Sequence, residues 1–179
     1  AQMPVQSRRA QLVDKLLQDG RFTDRWTIFY ADMLRLRSNA SGGQALIAYV
    51  HQAVEQGMPY DEMARRLISI NGKAGKIPEA GFVLSDDADP LAMASITSQV
   101  FMGIRIGCAQ CHDHPFNDWK QQKFWEFNAF LRQTRALRTF VPGTRDVASA
   151  ELVDEDFAGE GGDASEAEIY YELRNGLTK

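Results

Sequence analysis

Cysteine and histidine are scarce in this chain of 179 residues, which holds two of the first and three of the second. Two cysteines cannot build a disulfide framework, so the fold must rest on a packed core, and a chain of this length is large enough to bury one. Basic residues are not in excess. Twenty lysines and arginines against 24 acidic residues leave a formal charge of -4, which excludes the basic stripe a nucleic-acid binder needs to neutralise phosphates. Long apolar runs are missing too. The most apolar stretch, Leu91 to Ile106, is broken by Ser95, Thr97, Ser98, Gln99 and Arg105, far from the roughly 20 apolar residues of a spanning helix. No nucleophile-elbow glycines accompany the few histidines, so no Ser-His-Asp arrangement emerges.

What the chain does have is concentrated. Both cysteines fall in one pentapeptide, Cys108-Ala109-Gln110-Cys111-His112. Two thiols three positions apart, followed at once by an imidazole, offer two thioether anchors for haem vinyl groups and an axial ligand for the iron. A second chemistry is open to the same residues. Cys108, Cys111, His112 and His114 are the ligand types of a zinc or non-haem iron site, although four ligands within seven residues would strain a tetrahedron. A redox dithiol fits less well, because such a motif opens a helix after a strand and this one follows a helical run.

The dominant period is helical. Leu12, Val13, Leu16 and Leu17 form an apolar stripe that stops at Gly20, and Trp26, Phe29, Tyr30, Met33, Leu34 and Leu36 form a second from an N-cap at Thr23. Leu46, Ile47, Val50 and Val54 give a third helix closing at Gly57. Met58-Pro59-Tyr60-Asp61 opens a fourth, with Met63, Leu67 and Ile68 inward. Asn71 to Ala88, with its glycines, Pro78 and Asp86-Asp87, reads as a long surface loop. A helix resumes at Asp89-Pro90, with Met93, Ile96, Val100, Phe101 and Ile104 on its apolar face. The Pro115 restriction on His114 places its end at His112 and Asp113. A last helix, Gln121 to Thr134, carries Phe124, Trp125, Phe127, Phe130 and Leu131, an aromatic band suited to a core or to a porphyrin wall.

The reading is a mainly α fold, a helical bundle over residues 1–138 with the haem-attachment motif at the end of a long helix. A β-prone and acidic flexible tail over 139–179 is expected to continue into a missing segment. In that tail Glu151-Leu152-Val153 and Ile169 to Leu173 are strand candidates, Asp154 to Glu168 is acidic and glycine-rich, and Arg174 to Lys179 reads as a hairpin turn.

The run from Gln99 through Cys108-Ala109-Gln110-Cys111-His112-Asp113-His114-Pro115-Phe116-Asn117 resembles the signature of the planctomycete-type cytochrome c domain, classed among domains of unknown function. Fainter echoes are Leu12 to Leu17, Arg25-Trp26, Asp32 to Arg35 and Met58 to Asp61, so the similarity extends from about Leu12 to Phe130. The resemblance implies one covalently attached haem c, with Cys108 and Cys111 as anchors and His112 as proximal ligand. Asp113, His114, Phe116 and Asn117 belong to the same signature without an agreed task. It also implies an extracytoplasmic, periplasmic setting, in which the domain sits beside others in a larger protein.

The family pattern supplies no methionine as sixth ligand. His114, two residues past the proximal imidazole, can hardly reach the opposite porphyrin face and is expected to bond a propionate or nearby backbone. His51 reads as a surface residue. Met33, Met93 and Met102 are the candidates for a sixth ligand, each on an apolar helical face where packing is the ordinary role. A six-coordinate iron suits electron transfer with a redox partner protein or a neighbouring domain. An open sixth position would suit small-ligand or peroxide chemistry, with Arg35 or Arg105 as a cationic helper. No distal histidine is evident, so the expectation is an electron-transfer module rather than a catalyst on its own, with no nucleic-acid partner and no membrane span.

Overall fold

The computed structural model describes residues 5–155. Among them are seven α-helices: α1 (Val5–Leu17), α2 (Gly20–Met33), α3 (Gly43–Glu55), α4 (Tyr60–Ser69), α5 (Gly81–Leu84), α6 (Pro90–Phe101) and α7 (Gln121–Ala129). Three short strands, β1 (Gly72–Lys73), β2 (Thr134–Phe140) and β3 (Val147–Asp154), form one antiparallel sheet in the order β1-β3-β2. The chain is mainly α with a small β part, as its periodicity predicts.

Local chemistry sets the helix boundaries. Asp19 caps α2 by accepting the Arg21 N–H at 3.0 Å, and the Arg21 guanidinium folds back onto the same carboxylate at 2.6 Å. The helix therefore starts ahead of the Thr23 cap expected from sequence, and Gly20 opens a helix instead of closing one. Thr23 has a different task, since its carbonyl accepts the hydroxyl of buried Thr27 at 2.8 Å. Asp89 caps α6 through Leu91 N at 2.8 Å, with Pro90 in the first turn where its missing N–H costs nothing.

Two cores lie on either side of α6. The larger joins Leu46, Val50 and Ala53 of α3, Met63 and Leu67 of α4, Met93 and Ile96 of α6, and Ala150 and Leu152 of β3. The smaller is made by Ala94, Ile106, Ala109 and Phe124, all fully buried. α6 is thus a shared wall.

The segment Asn71 to Ala88 is not the surface loop its glycines suggest. β1 pairs with β3, Ala74 N donates to Ala150 O at 3.0 Å, and Phe82, Val83 and Leu84 on the single turn of α5 are buried in the larger core. Gly72 and Gly81 serve close approach, and of the three glycines Gly75 alone has open space beside it. A Cβ at Gly81 would lie 2.9 Å from the Gly42 carbonyl oxygen, so the missing side chain lets α5 sit against the start of α3.

The sheet corrects the C-terminal reading. α7 ends at Ala129, and Thr134, taken from sequence as the helix end, opens β2 instead. The composition change at Arg138 falls within β2, where Arg138 pairs with Ala150 and Ala136 with Leu152. Glu151-Leu152-Val153 lies in β3 as expected. The candidate strand Ile169 to Leu173, the Arg174 to Lys179 turn and the acidic run beyond Glu155 lie outside the described residues.

α1 departs furthest from expectation. Every residue from Arg8 to Gln18 is exposed, and the apolar stripe Leu12, Val13, Leu16 and Leu17 is 46–55% exposed. Trp26 and Phe29 on α2 are also exposed, at 39% and 45%. Periodicity finds an apolar face; it does not say what covers it.

Gly43 supplies a test of this packing. A Cβ there would stand 1.8 Å from the Arg37 carbonyl oxygen, whereas Gly57, at φ 66°, has nothing near its missing side chain. Gly43→Ala is expected to lower stability by about 3 kcal/mol, and Gly57→Ala by about 1 kcal/mol from its left-handed backbone alone, both read from urea midpoints.

Candidate functional site

The helix that approaches the cysteine motif stops early. α6 ends at Phe101, where the Met102 and Ile104 amides both donate to the Ser98 carbonyl at 3.1 Å and Gly103 takes φ 70°. That left-handed glycine terminates the helix well before His112 and Asp113, the end expected from sequence. The motif instead begins on a separate 3-10 turn, Gly107–Gln110, which Cys111 closes and His112 follows.

The turn's period orients the thiols. In a 3-10 turn residues three apart lie over one another. Ile106 and Ala109 share the inner side and are fully buried against α6 and α7, while Cys108 and Cys111, also three apart, are exposed. Backbone bonds hold the arrangement, with Ala109 N donating to Ile106 O at 2.8 Å and Cys111 N to Cys108 O at 3.3 Å. The C-x-x-C spacing therefore matches the local backbone period.

His112 is exposed, and its Nδ1 lies 2.6 Å from the Asp113 carbonyl oxygen. A carbonyl only accepts, so Nδ1 carries the proton and Nε2 presents its lone pair outward. An imidazole that ligates a metal through one nitrogen commonly donates from the other to backbone in this way.

The rest of the signature builds the connection to α7. Asp113 accepts the Gln121 N–H at 3.0 Å at the helix start and the Lys120 ammonium at 3.1 Å, which together hold its carboxyl below the usual carboxylate range. Gln121 Nε2 also reaches the Gln110 carbonyl at 3.3 Å. His114 belongs to the turn around Pro115: its backbone N–H donates to Trp119 O at 2.8 Å, and its Nδ1 accepts from Phe116 N at 3.2 Å. Asn117 Oδ1 accepts the Trp119 N–H at 2.9 Å. The Phe116 side chain projects from this network, 92% exposed, with its ring 6.3 Å edge-on from that of His114. Sequence reasoning missed Lys120 and Gln121, although a carboxylate eight residues ahead of a helix start was the available signal.

The methionines separate. Met93 is buried in the larger core and Met33 packs against it, whereas Met102 is 49% exposed at the end of α6. In the aromatic band, Phe124 is buried in the smaller core, Trp125 and Phe127 are half-buried, and Phe130 is 80% exposed. Arg35 takes φ 57° just past α2, and Arg105 is exposed on the approach to the turn. His51 is on the surface, 3.3 Å from Asp24. Among the described residues, no group of three or more histidine, cysteine, aspartate or glutamate side chains is disposed to hold a metal ion. His114 is committed to its own turn, so the four-ligand zinc or non-haem iron cluster read from the sequence is not assembled. No helix among these residues is long and apolar enough to cross a membrane.

Fold and site together define a class: a mainly helical domain that presents C-x-x-C-H on an exposed turn, backed by two buried residues. The chain belongs to the PSCyt2 family, described as a protein of unknown function (DUF1549), whose sequence model matches residues 2–136. This is a planctomycete-type domain family. No protein of curated function and no solved structure matches the chain.

Asp113 gives the site a pH signature. Its folded pKa is lowered, so its contribution to stability is fully present above the unfolded aspartate value of about 3.9 and is lost as pH falls through the folded value. The stability gap between wild type and Asp113→Asn is expected to be constant from pH 7 to pH 5 and to close on further acidification. Equal midpoints at pH 7 in chemical denaturation would show that the carboxylate does not hold the turn to α7.

Proposed function

We propose that the domain is a monohaem c-type cytochrome module that carries electrons in an extracytoplasmic multidomain protein. The observation that supports this best is the state of the C-x-x-C-H turn: two thiols on one exposed side and, beside them, an imidazole whose Nδ1 proton is held by the Asp113 carbonyl. Haem c, when bound, would supply a one-electron iron couple.

The chain's own residues have separable tasks in this reading. Cys108 and Cys111 provide the two sulfur anchors. His112 would offer Nε2 to the iron, and Asp113 fixes the ring through its carbonyl and the turn through its carboxylate. Ile106 and Ala109 hold the turn with both cysteines on its exposed side, where they would be accessible for attachment. Of the three candidate methionines, Met102 is the accessible one; ligation by it would raise the potential, and an iron lacking it would be open to small ligands. The partner is a redox protein or a neighbouring domain, and the setting is periplasmic or otherwise outside the cytoplasm, where thioether attachment takes place.

The test is a visible spectrum, oxidised and reduced, of protein made in a host with c-type maturation, together with its intact mass after denaturation. Haem that survives denaturation with sharp low-spin bands is the expected result. High-spin bands would favour the five-coordinate reading, and no covalent haem with stoichiometric zinc or non-haem iron would overturn the haem reading. In the same system, replacing both Cys108 and Cys111 with Ala is expected to abolish covalent haem. His112→Ala is expected to keep covalent haem at reduced yield and to lose the low-spin spectrum. Spectra like wild type from both variants would sink the assignment.

A further inference from the structure

α1 is a helix without a reason to be one in a lone copy. It has 13 residues, a length at which isolated helices in water are marginal, and most helices are sustained by burying an apolar face. None of its residues from Arg8 to Leu17 is buried, and its apolar side lies open. A complementary surface exists on the same molecule. Phe22, Trp26 and Tyr30 of α2, with Val54 and Met58, line an open apolar groove of about 280 Å³, a volume suited to inserted side chains more than to a drug-sized ligand. Trp26 and Phe29, in edge contact at 5.2 Å, extend this surface and are themselves exposed.

We propose that α1 seats on the aromatic groove of a second copy, and that the exchange is reciprocal. Two observations select a copy of this chain as the occupant. Charge is the first: α1 carries Arg8, Arg9 and Lys15 against the single Asp14, while exposed Glu55 and Asp61 flank the end of the groove at Gly57 and Met58 and exposed Arg21 and Arg25 stand beside Phe22 and Trp26 at its α2 wall. The groove is acidic at its Gly57 and Met58 end alone, so α1 complements it when Arg8 and Arg9 lie toward Glu55 and Asp61, and the same pairing recurs on the other copy of a two-fold interface.

Area is the second. Leu12, Val13, Leu16, Leu17, Trp26 and Phe29 are each 39–55% exposed and offer on the order of 100 Å² apiece. Counted on both copies, this is on the order of 1,200 Å², the lower end of what a specific interface buries. The exchange is independent of haem, since none of these residues belongs to the motif.

Sedimentation equilibrium on the 179-residue chain tests the proposal. The expected result is a reversible dimer, its mass approaching twice 20.1 kDa in the micromolar range. Leu12→Glu with Leu16→Glu is expected to weaken it by about 30-fold or more, with helix content at high dilution unchanged because both positions are exposed. Arg8→Glu with Arg9→Glu is expected to weaken it as well, and Glu55→Lys with Asp61→Lys in the same chain to restore it. A monomer at 200 μM wild-type protein would overturn the proposal and leave the face to an unlike partner. A dimer indifferent to the leucine substitutions would overturn it by placing the contact elsewhere.

Discussion

The burial of Ile106 and Ala109 is the constraint on which the candidate site depends. Both side chains are fully enclosed beside Ala94 and Phe124, and a short turn with a three-residue repeat has only one way to satisfy them. Once that side is committed to the core, Cys108 and Cys111 must face away from it. The orientation of the reactive groups is therefore imposed by apolar packing from behind. The two cysteines and His112 belong to neither core, so the packing that sets the turn is made by other side chains.

How much of this was legible in the sequence follows from the range of the forces involved. The helices α3, α4 and α6 declare themselves because burial repeats along each with a helical period, and Leu46, Val50, Met63, Leu67, Met93 and Ile96 are buried as that period requires. The pentapeptide is legible because its chemistry is carried by contiguous residues. Its turn is not, because the end of α6 depends on the backbone angle of Gly103, and a glycine permits that angle without demanding it. The burial of Phe82, Val83 and Leu84 is equally hidden. An apolar triplet on one turn is too short to show a period, and its place in the core is secured by the contact of Gly81 with Gly42, some forty positions away. β2 was lost for a related reason, since its partner is another strand and strand identity is decided by pairing more than by intrinsic preference.

The two-core arrangement also separates apolar packing from polar bonding. α6 gives Met93 and Ile96 to one side and Ala94 to the other, so a change of volume on this helix is felt in both cores, while the polar network of Asp113, His114, Asn117 and Gln121 lies beyond them on the surface. These residues tie the motif to α7 by hydrogen bonds that water can replace at modest cost. The site is thus rigid at its base and adjustable at its rim.

The central position of β3 has a consequence for the order of events during synthesis. β1 emerges early and β2 later, yet neither touches the other; each pairs only with β3, the last element among the described residues. Ala150 and Leu152 also complete the larger core. The helices can form locally as they leave the ribosome, but the sheet and the closure of that core must wait until about residue 154 has appeared. Until then Phe82 and Val83 on α5 lack the neighbours that β3 supplies, so the nascent domain keeps part of its apolar core open while the seventy residues that follow α5 are made.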